Sequence, residues 1–100
     1  PTFKSAVTEE SHVRISFDNI DGGLLNKGNS LVQNFALANS TGKWFWADAF
    51  IDGQTIYVHS KYVLHPVRVQ YAWQSNPIAT LYNKEGLPMI PFNEKVVQLK

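Results

Sequence analysis

One hundred residues with nine Lys and Arg against eight Asp and Glu, a net charge of +1, make a single domain with no long-range pull on nucleic acid or an anionic membrane. The absence of cysteine excludes disulfides, thiolate chemistry and cysteine zinc sites. A 44% hydrophobic content is enough for a core burying roughly two-thirds of the unfolded surface, and no run nears the ~20 apolar residues of a membrane helix.

Taken in chain order, the pattern is one of strands. Pro1-Thr2-Phe3-Lys4 opens with neither a starting Met nor a basic-then-apolar leader, as a piece of a longer protein would. Thr2 to Val7 is a weak first strand. His12 to Phe17 alternates, placing Val13, Ile15 and Phe17 on one face and Arg14 on the other. Glycine turns follow at Asp21-Gly22-Gly23 and Lys27-Gly28-Asn29, leading into a strand over Asn34 to Ala38. Thr41-Gly42-Lys43 turns the chain into Trp44 to Ile51, and Asp52-Gly53-Gln54 is a hairpin signal ahead of Thr55 to His59. Pro66 then marks the entry to Val67 to Tyr71, with Arg68 and Gln70 outward, and Trp73 extends the inward face of that strand. Strands about ten residues apart, joined by Gly and Asn turns, predict an all-β, antiparallel sandwich of immunoglobulin-like type.

Two segments depart from an ordinary strand. Trp44 to Ile51 is apolar on both faces. Phe45, Ala47, Ala49 and Ile51 suit close packing in a core, which leaves Trp44, Trp46 and Phe50 where polar groups belong. Such a face is the sugar-stacking platform of a carbohydrate-binding module, a contact with another domain, or, in an adhesive or assembly domain, a contact with another chain. The segment "TLYNKEGLPMIPF", Thr80 to Phe92, holds two prolines that a strand interior rejects, yet too many large apolar groups for a disordered tail.

Chemistry-bearing constellations are missing from the sequence. The serines sit in strands and turns with no Gly-x-Ser-x-Gly elbow, and Asn29-Ser30-Leu31 reads as a turn entering a strand. His12 and His59 fall in strands as surface partners of their neighbours. His65-Pro66 resembles a triad histidine, but Tyr62 stands where an aspartate would orient it. No metal-ligand spacing and no cofactor motif occur, so no catalytic residue, metal or cofactor is assigned. Asn39-Ser40-Thr41 matches the N-glycosylation acceptor pattern on a turn.

The stretches "VRISFD", "DGGL", "GKWFWADAFIDGQTIYV", "PVRVQYAW" and "NPIATLYNKEGLPMIPF" together resemble the C-terminal region of the sialate O-acetylesterase family, in order and spacing, over residues 1–92. The resemblance is most specific at Tyr71-Ala72-Trp73, Leu81-Tyr82-Asn83, Gly86-Leu87-Pro88 and Pro91-Phe92. It implies an accessory β domain of a carbohydrate esterase. The parent's SGNH-type hydrolase domain removes O-acetyl groups from sialic acids or related sugars through Gly-Gln-Ser and Asp-x-x-His blocks, which this chain lacks. By the same resemblance, the hydrolase domain is the expected partner and an acetylated glycan a second one. The expected compartment is secreted, periplasmic or lysosomal. Thr80 to Phe92 then reads as a closing strap, which adds Tyr82 and Asn83 to Trp44, Trp46 and Phe50 as contact candidates. Two departures stand out: Asn93 follows Phe92 where the family has arginine, and Trp46 replaces a family proline. Residues 93–100 read as an extension beyond the family-like part.

Overall fold

The computed structural model describes residues 1–10, 12–20, 23–26, 31–72, 81–83 and 89–98, and among these described residues there are nine strands. They are β1 (Thr2–Glu9), β2 (His12–Asp18), β3 (Leu24–Asn26), β4 (Leu31–Ala38), β5 (Trp44–Asp52), β6 (Thr55–His59), β7 (Arg68–Tyr71), β8 (Leu81–Asn83) and β9 (Phe92–Lys95). Among the described residues there is no helix.

The tight connections follow from residues that tolerate a left-handed backbone. The β5–β6 hairpin closes on Gly53 and Gln54 with Asp52 opposite Thr55. Only the first loop position has a positive φ, 62° at Gly53, as a type II′ turn requires. At the β4–β5 corner Asn39 Oδ1 accepts from the Thr41 N–H (3.0 Å), the Thr41 hydroxyl (2.7 Å) and the Lys43 N–H (3.1 Å), while Gly42 takes φ 85°. The acceptor asparagine of the glycosylation pattern is thus the organiser of that turn. In β4 the register slips between Val32 and Phe35, where Asn34 stands at φ 71°: a bulge whose extra residue is one that tolerates this conformation.

Seven strands form one antiparallel sheet in the order β1-β2-β6-β5-β4-β7-β9, and β3 pairs with β8 in a separate ribbon. The all-β antiparallel expectation holds. The two layers expected of a sandwich are not separate, because β4 pairs with β5 from Leu31 opposite Phe50 to Ala38 opposite Trp44. The sheet also comes round on itself. Past β9 the chain returns alongside β1, where Thr8 N–H donates to Val97 C=O (2.9 Å) and Val97 N–H to Ala6 C=O (2.8 Å) in a parallel bridge. The result is nearly a barrel, and little edge is left open.

The concave side holds the core: Val13, Ile15, Phe35, Leu37, Ala49, Ile56, Val58, Val69 and Tyr71 are fully buried. Phe45, Ala47 and Ile51 pack against it from partly buried positions, so β5 turns the expected face inward. A bulge at Lys4 reverses the alternation of β1, which lets both Phe3 and Ala6 face the core. Trp73 lies outside the described residues.

Three residues of the segment expected as a strap belong to this interior. Leu81, Met89 and Phe92 are all buried, and the Phe92 ring lies 5.0 to 6.1 Å from those of Phe3, Phe17, Phe35 and Tyr71. The buried Leu81 N–H donates to the Tyr71 hydroxyl (3.3 Å) and the Met89 N–H to Leu81 C=O (3.0 Å). Leu87 lies outside the described residues. Beyond Phe92, Asn93 to Lys95 complete β9 against β7, and Val96 is buried.

Candidate functional site

Because alternate residues of a strand face opposite ways, the core-facing set of β5 leaves Trp44, Trp46, Asp48 and Phe50 on the convex side. Trp46 is 62% and Phe50 50% exposed, while Trp44 is half-buried. The next strand in the sheet presents Ala36 opposite Trp46 and Ala38 opposite Trp44. Both alanines are buried although they stand outside the core cluster, so larger neighbours on the outer face cover them. On their other side stand Gln70 and Arg68 of β7.

Small residues between large ones make a groove. Ala36, Trp44, Phe45, Trp46, Tyr62 and Gln70 line an open hollow of about 420 Å³. Tyr62, 62% exposed, stacks on Phe45 with ring centroids 5.6 Å apart. Lys43 and Lys61 lie 5.3 and 5.1 Å from the Phe45 and Tyr62 rings, so the hollow has a cationic rim. The opposite wall is fixed by Asn93: its Oδ1 accepts from Arg68 Nε (2.9 Å), its C=O from Arg68 Nη2 (3.1 Å), and its Nδ2 donates to Gln70 Oε1 (3.2 Å). Asn93, at the position where the resemblance expects arginine, thus locks the polar wall of the groove.

Phe50 belongs to a different hollow. Six residues along β5 from Trp44, it stands opposite Tyr57 of β6 and lines, with Glu9, Glu10, His12 and Tyr57, a space of about 460 Å³. Charge organises this second site. Arg14 Nε donates to Glu9 Oε2 (2.7 Å), Arg14 Nη1 to Thr55 Oγ1 (2.5 Å) and Asp52 Oδ2 (3.3 Å), and Arg14 Nη2 to the Tyr57 hydroxyl. The Tyr57 hydroxyl in turn donates to Glu9 Oε1 (2.7 Å), and the guanidinium lies 3.9 Å from the Tyr57 ring centroid. Hydrogen bonds from Tyr57 and then Arg14 hold the Glu9 carboxyl below its ordinary range. The same bond to Glu9 raises the Tyr57 phenol, and Glu9 raises the Arg14 guanidinium. His12 and His59 stack on each other at 4.7 Å, and His12 meets Tyr57 edge-on at 5.9 Å.

The aromatic candidates therefore divide: Trp44 and Trp46 share one groove, and Phe50 lies in another with partners that the sequence did not single out. Glu9 and Arg14 stand five residues apart on the two arms of the β1–β2 hairpin, and Tyr57, 43 residues beyond Arg14, joins them through the β2–β6 pairing. Tyr82 and Asn83 lie in β8 opposite Leu25 and Leu24, and the structure describes their backbone alone. Among the described residues no serine hydroxyl is bonded to a histidine: Ser60 Oγ accepts from the Tyr62 N–H (3.3 Å), and His65 is exposed. Nor is there, among them, a cluster of three His, Asp or Glu that could hold a metal.

No family model and no curated protein matches the chain. A solved structure does: a carbohydrate acetylesterase from Xanthomonas citri superposes with a TM-score of 0.87 at 36% sequence identity over 94% of this chain. The chain spans only 22% of the length of that protein.

Proposed function

We propose that this chain is a non-catalytic β domain of a larger carbohydrate acetylesterase, seated against the hydrolase domain of its parent through the Trp44–Trp46 groove. The observation that carries the reading is the 36% identity over nearly the whole chain to an acetylesterase of which it matches only 22%. Most of that protein lies outside the matched stretch, as expected if the catalytic groups lie elsewhere. An exposed aromatic groove on a sheet whose other face is already committed to a core supports a domain contact. Within this class, the motifs shared with sialate O-acetylesterases favour an SGNH-type serine hydrolase acting on sialic acids or related sugars. Acyl transfer would pass through a serine ester, with an oxyanion hole supplied by the hydrolase domain. The same resemblance favours a secreted, periplasmic or lysosomal parent. The strand order supports an immunoglobulin-like ancestry: β1-β2-β6-β5 followed by β4-β7-β9 is the order of the two immunoglobulin sheets, here joined at β4–β5.

Acetyl release from O-acetylated sugars by the full-length parent, by the isolated chain and by a Trp44→Ser/Trp46→Ser parent tests the reading. The parent should turn over, the isolated chain should not exceed background, and the double variant should lose stability or activity at the domain junction. Turnover by the isolated chain that a serine-directed phosphonate abolishes would refute the non-catalytic role.

A further inference from the structure

The hollow around Phe50 combines two things that the tryptophan groove does not. It has a half-exposed aromatic plane, and beside it two carboxylates, Glu9 and Glu10. Glu9 cannot turn freely, since each of its oxygens already receives a hydrogen bond, one from Arg14 and one from Tyr57. A carboxylate oxygen has two lone pairs, so each retains one for a further donor. Arg14 is held in its turn by Thr55 and Asp52, and Tyr57 lies beneath the guanidinium. The acceptor is therefore preorganised, and binding to it costs little ordering. A pyranose ring has the complementary form: an apolar C–H face that lies on an aromatic plane and a rim of hydroxyl donors.

We propose that this hollow binds a neutral pyranose ring, stacked on Phe50 and donating hydroxyl hydrogen bonds to Glu9 and Glu10. Charge selects the class of sugar. Glu9 and Glu10 both line the hollow, and the one guanidinium beside them, Arg14, is already engaged by Glu9 and Asp52, so a negative excess faces the hollow. A sugar carboxylate would be repelled there, as like charges are at this range. A neutral glycoside carries no charge to be repelled. The site thus prefers neutral glycans over sialic acids, and for its ligand class it rests on the carbohydrate reading of the parent.

Titration of the 100-residue chain, followed through its backbone amide resonances at neutral pH, decides the matter. Methyl β-D-glucopyranoside and methyl β-D-galactopyranoside serve as neutral probes and N-acetylneuraminic acid as the acidic one. At least one neutral glycoside should shift the amides of Glu9, Glu10, His12 and Phe50 saturably, with Trp46 unmoved. Phe50→Ala and Glu10→Gln, both at exposed positions, should each weaken binding about tenfold, as should exchange of the neutral sugar for the acid. No saturable shift with either pyranoside would overturn the site, as would unchanged affinity in Phe50→Ala or equal binding of the acid. Acetyl release by the parent is a separate readout. Release without sugar binding here refutes this site and leaves the esterase reading standing; sugar binding without release does the reverse.

Discussion

Glu9 ties the charged cluster to the stability of the barrel. Its carboxyl titrates below its ordinary 4.5 in the folded chain, first because of Tyr57 and then Arg14. The unfolded chain therefore binds more protons as the medium becomes acid. The contribution of Glu9 is whole above 4.5 and is lost as the pH falls through the folded value. Urea midpoints measured from neutrality into acid should fall less steeply for Glu9→Gln than for the natural chain. Tyr57 acts at the other end: raised above 10.0, it contributes below that pH and loses its contribution as the pH rises through the folded value. A side chain with no titration, Phe92, carries more of the fold. It is ringed by Phe3, Phe17, Phe35 and Tyr71, so Phe92→Ala leaves a cavity and should cost about 3–5 kcal/mol, read from chemical denaturation. Ile51 is only partly buried beside the core, so Ile51→Ala should fall at or below the low end of the roughly 2–5 kcal/mol range for core truncations.

Among the elements, legibility followed length and alternation. His12 to Phe17 alternates cleanly and is a strand with the expected side inward, and Thr55 to His59 is the strand expected there. The two faces of β5 were legible too, because alanines at 47 and 49 fit a crowded interior and tryptophans do not. Three strands escaped. β3 and β8 have three residues each, too short for a period of two to register, and Phe92-Asn93-Glu94-Lys95 offers one apolar residue to three polar ones. What makes β9 a strand is the row of unpaired groups on β7, a tertiary cause that its own residues do not announce. The charged cluster was invisible for the same reason, since Arg14 read singly as an outward residue and Tyr57 belongs to a separate strand. Because β9 closes the sheet against both β7 and, through Val97, β1, removal of residues 93–100 should do more than fray an end. The truncated chain should lose its cooperative thermal transition by circular dichroism. A sharp transition at an unchanged midpoint would mean that the sheet does not need its seventh strand.

At the scale of the molecule, one side of the barrel is a finished core and the other carries an unfinished contact. Full burial of an aromatic side chain is worth about 1.5–3 kcal/mol, so Trp46 at 62% exposure leaves much of that gain unrealised. The strap was one possible cover for the groove, yet its Leu81, Met89 and Phe92 are committed to the interior and cannot also lie over Trp46. Under the proposed domain contact, the cover is the parent's hydrolase domain or, in the isolated chain, a second copy. Sedimentation of the 100-residue chain beside Trp44→Ser/Trp46→Ser separates these states. The natural chain should associate weakly as its concentration rises, and the double variant should stay monomeric. Trp46→Ser alone should alter folding stability by little more than about 0.5 kcal/mol, as is usual for an exposed side chain away from caps and core. Iodide should quench part of the tryptophan emission of the natural chain, and the quenchable part should fall when Trp46 is removed. Monomers in both cases, with emission fully shielded from iodide, would mean that the groove is already satisfied within the chain and has no partner to find.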